Sequence, residues 1–110
     1  MAYVAQEKTL LGLLLSLGRP KKARPSTNVS VDTVTTQIVA INKKRKGLVL
    51  TNTGANPVFL AINEDAVLNK GIYLVGNGGV WEMDSFTYTN RAINGIAITA
   101  ASNLAIQEFE

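Results

Sequence analysis

The spacing of apolar and polar positions changes near residue 28. Upstream, residues 3–17 (YVAQEKTLLGLLLSL) place Leu10, Leu11, Leu13, Leu14, Leu15 and Leu17 over an arc of roughly 200° at the helical step of about 100° per residue. A surface helix needs an apolar stripe of only about 100°, so this stretch predicts a helix that wants cover on more than one side. Gly18 and Pro20 end it, because glycine fits the left-handed position after a helix and proline cannot continue one. The expected helix occupies residues 1–18. Residues 19–28 (RPKKARPSTN) contain two prolines, four basic residues and no large apolar side chain. They predict a linker reaching about 33 Å when extended.

Downstream the period is two. Leu48 and Leu50 alternate with Val49 and Thr51, and residues 58–62 (VFLAI) follow the turn-forming NTGANP. Gly, Asn and Pro bracketed by such runs predict a hairpin. The same grammar predicts strands at 29–33, 36–42, 71–75 and 80–83, with a turn at residues 76–79 (GNGG), and a terminal hairpin from 92–100 and 103–109. Residues 84–91 (DSFTYTNR) read as an edge strand or an exposed loop. Short strands every 8–12 residues or so predict a mainly β domain over residues 29–110. The expected fold is a small antiparallel β-sandwich, jelly-roll-like or immunoglobulin-like, or a barrel, of seven to eight strands. The N-terminal α-helix stands on an extended arm.

Composition narrows the chemistry. The chain has no cysteine and no histidine, which removes disulfides, thiolate chemistry and the commonest general base and metal ligand. Glu82 and Asp84 are two carboxylates of the kind glycosidases use, but nothing around them supports hydrolysis. The glycine-rich residues 76–79 precede a strand-like VWEM and lack the Lys-Ser/Thr end of a phosphate-binding loop. Neither an enzyme nor a cofactor is expected. Trp81, Tyr88 and Arg91, with Phe86 and Asp84, would suit a carbohydrate platform; the plainer expectation is that Trp81 and Phe86 fill the core.

Charge is asymmetric. Residues 1–46 hold nine basic residues against two acidic ones, a net +7, and residues 47–110 a net −4. Such halves attract each other or the opposite halves of neighbouring copies. Arg19, Lys21, Lys22 and Arg24 in the linker, and Lys43, Lys44, Arg45 and Lys46 in a loop between strands, are the expected contacts to acidic partners. No aromatic residue is interleaved with the tetrad, as a stacking platform for single strands would require, so nucleic acid is not an expected partner. The Leu-rich run is too short to span a bilayer. It could lie on a membrane surface, but docking into protein is the expectation, with Leu10, Leu11, Leu14, Leu15 and Leu17 as the anchor.

Residues 44–52 (KRKGLVLTN), 58–62 (VFLAI), 71–74 (GIYL), 81–82 (WE), 94–98 (NGIAI) and 106–110 (IQEFE) together resemble small accessory proteins of tailed bacteriophage virions. The resemblance covers roughly residues 29–110. It implies a small β-sandwich that decorates or cements capsids, or serves in tail and fibre parts, often as a trimer. On that basis the chain is expected to be a non-enzymatic virion protein, most simply a head decoration or cement subunit. Its partners would be other copies of itself and the major capsid protein or other virion proteins, and its location the virion. A glycan-binding tail, spike or fibre module and a membrane-surface protein are the alternatives.

Overall fold

The structure, a computed structural model, describes residues 22–110. Eight strands follow in order: β1 (Thr27–Val31), β2 (Thr36–Val39), β3 (Gly47–Asn52), β4 (Val58–Ile62), β5 (Ile72–Leu74), β6 (Gly79–Glu82), β7 (Ile93–Ala97) and β8 (Ser102–Phe109). They form two four-stranded antiparallel sheets, ordered β1-β8-β3-β6 and β2-β7-β4-β5. Alternation is the cause. In β3, Leu48, Leu50 and Asn52 point inward between half-exposed neighbours, and in β8 Ser102, Leu104 and Ile106 do the same. In the other sheet Ile38, Val58, Leu60, Leu74, Ile93 and Ala97 supply the inner face, and all these apolar side chains join in one buried core.

The strand positions agree with expectation to within a few residues, but their pairing does not. The expected hairpin of residues 41–62 is a crossing, since β3 and β4 belong to different sheets. The expected terminal hairpin is another, with β7 and β8 on opposite sheets, and the GNGG turn joins β5 to β6 across the core as well. Only β4 and β5 are both consecutive and paired. Turn chemistry reverses the chain whichever way the next strand goes. What decides the matter is which apolar faces oppose one another, and Leu48 and Leu50 look across the core toward the sheet that holds Val58 and Leu60.

The Leu-rich helix and residues 19–21 lie outside the described residues. The rest of the expected linker is not free. Lys22 and Glu110 exchange backbone hydrogen bonds of 2.8 Å, Arg24 N–H donates to Glu108 O at 2.8 Å, and Ala23 bridges Phe109. The chain is therefore stitched to the end of β8 before β1 begins at Thr27, two residues earlier than expected. At the far end, buried Asn52 accepts from Ser102 Oγ (2.7 Å) and donates to the carbonyls of Asn56 (2.8 Å) and Leu74 (3.2 Å). It ties both sheets together where the loops turn.

Gly71 has φ +89°, and a Cβ there would collide with the carbonyl oxygen of Leu60; Gly78 has φ +109° but open space around it. Left-handed strain alone costs on the order of 1 kcal/mol and a backbone clash adds to it. Gly71→Ala should therefore lower the unfolding free energy by about 3 kcal/mol or more and Gly78→Ala by about 1 kcal/mol, read as a difference in urea midpoints at constant slope.

Candidate functional site

Three loops, residues 40–46, 63–71 and 83–92, gather at one end of the two sheets, together with the paired segments 22–24 and 108–110. Asn42 N–H donates to Asn90 O, Asn63 N–H to Ala92 O, and Asn94 Nδ2 to Glu64 O. Among the described residues every Lys, Arg, Asp and Glu except Asp32 sits in these segments or, as Glu82, closes the strand that enters them. Charge is thus segregated by end of the fold. The basic and acidic halves of the sequence meet within the chain: Arg24 pairs with Glu110 at 3.0 Å, and Arg45 with Glu108 at 2.6 Å.

Arg45 organises this end. It is wholly buried. Its Nε donates to Glu108 Oε2, Nη1 to the carbonyls of Arg91 (2.8 Å) and Thr89 (3.2 Å), and Nη2 to Ala40 O at 2.7 Å. A guanidinium provides a planar fork of donors on one charge, which an ammonium cannot reproduce. The backbone carbonyl of Arg45 in turn accepts from Tyr88 Oη at 2.9 Å. One residue therefore fixes the end of β2, the loop before β7 and the end of β8. Its expected role as a contact to acidic partners is corrected: its charge is used inside the molecule, where four acceptors offset its loss of water.

An open cleft of about 610 Å³ lies beside it, bounded by Lys43, Lys44, Lys46, Met83, Ser85 and Tyr88. Asn42 builds one wall. Its Oδ1 accepts from Lys44 N–H (3.0 Å) and its Nδ2 donates to Glu110 (3.0 Å), so exposed Lys43 and Lys44 ride on a fixed turn. Asp84 builds the other. Its Oδ1 accepts from the N–H groups of Phe86 (2.8 Å) and Thr87 (3.0 Å) and from Thr87 Oγ1 (3.1 Å), while its own N–H donates to Thr87 Oγ1. These bonds, the Phe86 N–H first, hold the Asp84 carboxyl below its ordinary pKa. A glycosidase acid needs the opposite shift, so Asp84 does not supply one. Glu110 is likewise lowered, first by Asn42 and then by Arg24, and Arg24 is raised by Glu110.

The structure brings Lys43, Lys44, Lys46 and Tyr88 together at the cleft. Leu10, Leu11, Leu14, Leu15, Leu17, Arg19 and Lys21 lie outside the described residues. Lys22 is exposed, while Arg24 is half-exposed and ion-paired in the chain. The carbohydrate platform does not assemble: Trp81 packs against the core, and of Trp81, Tyr88 and Arg91 only Tyr88 lines the cleft. Phe86, expected in the core beside Trp81, is 96% exposed. Glu108 was missed as a site residue, and Phe86 was weighed only as a platform or core residue. Glu108 continues the inward phase of Ser102, Leu104 and Ile106, and an inward carboxylate calls for a cation. The D-S-F-T run is a side-chain-capped turn that lifts its aromatic outward. No protein-family model, curated protein or solved structure matches the chain.

Arg45→Met leaves Glu108 with a lost partner in a mostly buried setting and should cost about 3–5 kcal/mol; Arg45→Met with Glu108→Leu should recover a substantial part of that, measured by denaturant unfolding. Lowered folded pKa values at Asp84 and Glu110 mean their stabilisation is present above the unfolded carboxylate values and lost as pH falls through the folded ones. The urea midpoint should therefore be level from about pH 7 to 5 and fall below about pH 4, with Asp84→Asn and Glu110→Gln each flattening the fall.

Proposed function

We propose that the chain is a non-enzymatic structural subunit of a tailed-bacteriophage virion, of the head decoration or cement type, which oligomerises as a trimer and anchors to the capsid through its N-terminal Leu-rich segment and basic arm. The two sheets, ordered β1-β8-β3-β6 and β2-β7-β4-β5, have the connectivity of a jelly-roll sandwich, an architecture that recurs in viral capsid domains and lectins. That favours the jelly roll over the immunoglobulin-like and barrel forms. The observation that carries the reading is where the arm joins the body. Lys22 to Arg24 are bonded to Glu108 and Glu110 at the charged end. The chain therefore enters the body at the end that presents Lys43, Lys44 and Phe86. An apolar anchor and a set of exposed lysines acting on one surface is an arrangement for attachment to a partner of mixed apolar and acidic character.

The pairing of residues 22–24 with β8 sets the boundary for a deletion. Removing residues 1–21 should abolish incorporation into virions, scored by mass spectrometry of purified particles, while leaving the far-ultraviolet circular dichroism and unfolding midpoint of the body unchanged. Unchanged incorporation of a folded truncated chain would sink the anchoring proposal.

A further inference from the structure

Among the described residues Phe86 fills no cavity, yet it is not loosely held. Asp84 caps its backbone, Thr87 closes the turn on Asp84, and Tyr88 Oη is bonded to Arg45 O. A large apolar side chain presented at 96% exposure on a loop ordered in advance has already met much of the conformational cost of binding. Aromatic residues of this kind, seated in a partner's pocket, are typical anchors of interfaces. Lys43 and Lys44 line the cleft that Asp84, Ser85 and Tyr88 of the Phe86 loop also line, and both lysines are exposed.

The matching surface is on the same chain. Ala61, Glu64, Asp65, Val67 and Lys70 bound a cavity of about 160 Å³ in the β4–β5 loop. A cavity of about 150 Å³ is enough to take up benzene, so the volume suits one phenyl ring. Ala61 is buried, half-exposed Val67 offers an apolar wall, and Glu64 and Asp65 are exposed acidic groups. Two exposed lysines on the side of the Phe86 loop, and a hollow that carries two carboxylates against the single lysine Lys70, are opposite in net charge. Both belong to the loops at the charged end.

We propose that the oligomer is built on this contact: Phe86 of one copy inserts into the hollow of Ala61 and Val67 in a second copy, and Lys43 and Lys44 of the first face Glu64 and Asp65 of the second. The inference deepens the oligomeric part of the function proposed above and rests on it. Two different surfaces are used, so the contact is heterologous, each copy giving its Phe86 to the next, and a threefold rotation closes it into the proposed trimer.

The test is sedimentation velocity on the full chain across a concentration series. Wild type sediments as an oligomer. Phe86→Ala, which removes a ring that is 96% exposed, keeps the unfolding midpoint and weakens self-association about 30-fold or more. Lys43→Glu with Lys44→Glu dissociates the oligomer, as does Glu64→Lys with Asp65→Lys, and mixing the two charge-reversed chains restores association between unlike chains, in species of even number because a ring of three cannot alternate two chain types. The chain has no cysteine, so a mixture of Phe86→Cys and Val67→Cys chains reports the contact directly as a mixed disulfide-linked dimer under mild oxidation. A wild-type monomer at all concentrations, an oligomer indifferent to Phe86→Ala, or absence of the mixed dimer each overturns the interface. None of those outcomes bears on virion attachment, which the deletion of residues 1–21 reads in a separate assay.

Discussion

A single buried guanidinium sets the shape of the charged end. Ala40, Thr89, Arg91 and Glu108 come from three separate stretches of chain, and Arg45 bonds to all of them. Taking an arginine out of water is costly unless a counter-charge and further acceptors replace its hydration. Here the carboxylate of Glu108 and three carbonyls do so, and no buried side-chain nitrogen or oxygen among the described residues lacks a partner. The gain lies in geometry more than in net stability. A well-packed apolar cluster would hold the two sheets equally well, but it would not orient three loops relative to each other. The cleft walls, the half-exposed Tyr88 and the outward Phe86 all follow from that orientation.

The opposite end is closed by another polar group with another logic. Asn52 is neutral, and its amide reaches carbonyls of the β3–β4 connection and of the last residue of β5 while accepting from Ser102 at the start of β8. The core between these two polar groups is continuous and apolar. Sequence-neighbouring strands mostly fall on opposite sheets, so each sheet is completed by residues far apart in the chain. Such a topology gains little from local pairing and folds slowly for its size. The two polar groups make the long-range register specific, because a slip of one residue would turn Asn52 or Glu108 to solvent and bury a neighbour in its place.

Much of this was legible in the residues and some was not. The alternation in β3 and β8 and the apolar run of β4 marked strands almost to the residue, since burial on one face enforces alternation in the first two. Pairing was not legible, because NTGANP and GNGG reverse a chain equally well into the same sheet or across the core. Arg45 was obscured by its neighbours: within four consecutive basic residues nothing local distinguishes the one that turns inward. Its partner was the better clue, as Glu108 stands in phase with Leu104 and Ile106. Phe86 was misjudged because an aromatic residue near Trp81 is ordinarily core, whereas the Asp84–Thr87 turn bonds bind the backbone and leave the ring outside. The cleft itself joins loops some forty residues apart and has no signature along the chain.

The stitching of residues 22–24 to the end of β8 has a mechanical consequence. Backbone bonds in an antiparallel ladder lie across the strands. A pull applied at Lys22 along the strand axis therefore loads the Lys22, Arg24 and β1 bonds to β8 together, in shear, instead of peeling them one by one. β8 is flanked on its other side by β3 over six paired positions, so force entering at the arm spreads into the middle of the sheet. A subunit tethered at that point would share tension across the sheet instead of losing its first strand by peeling.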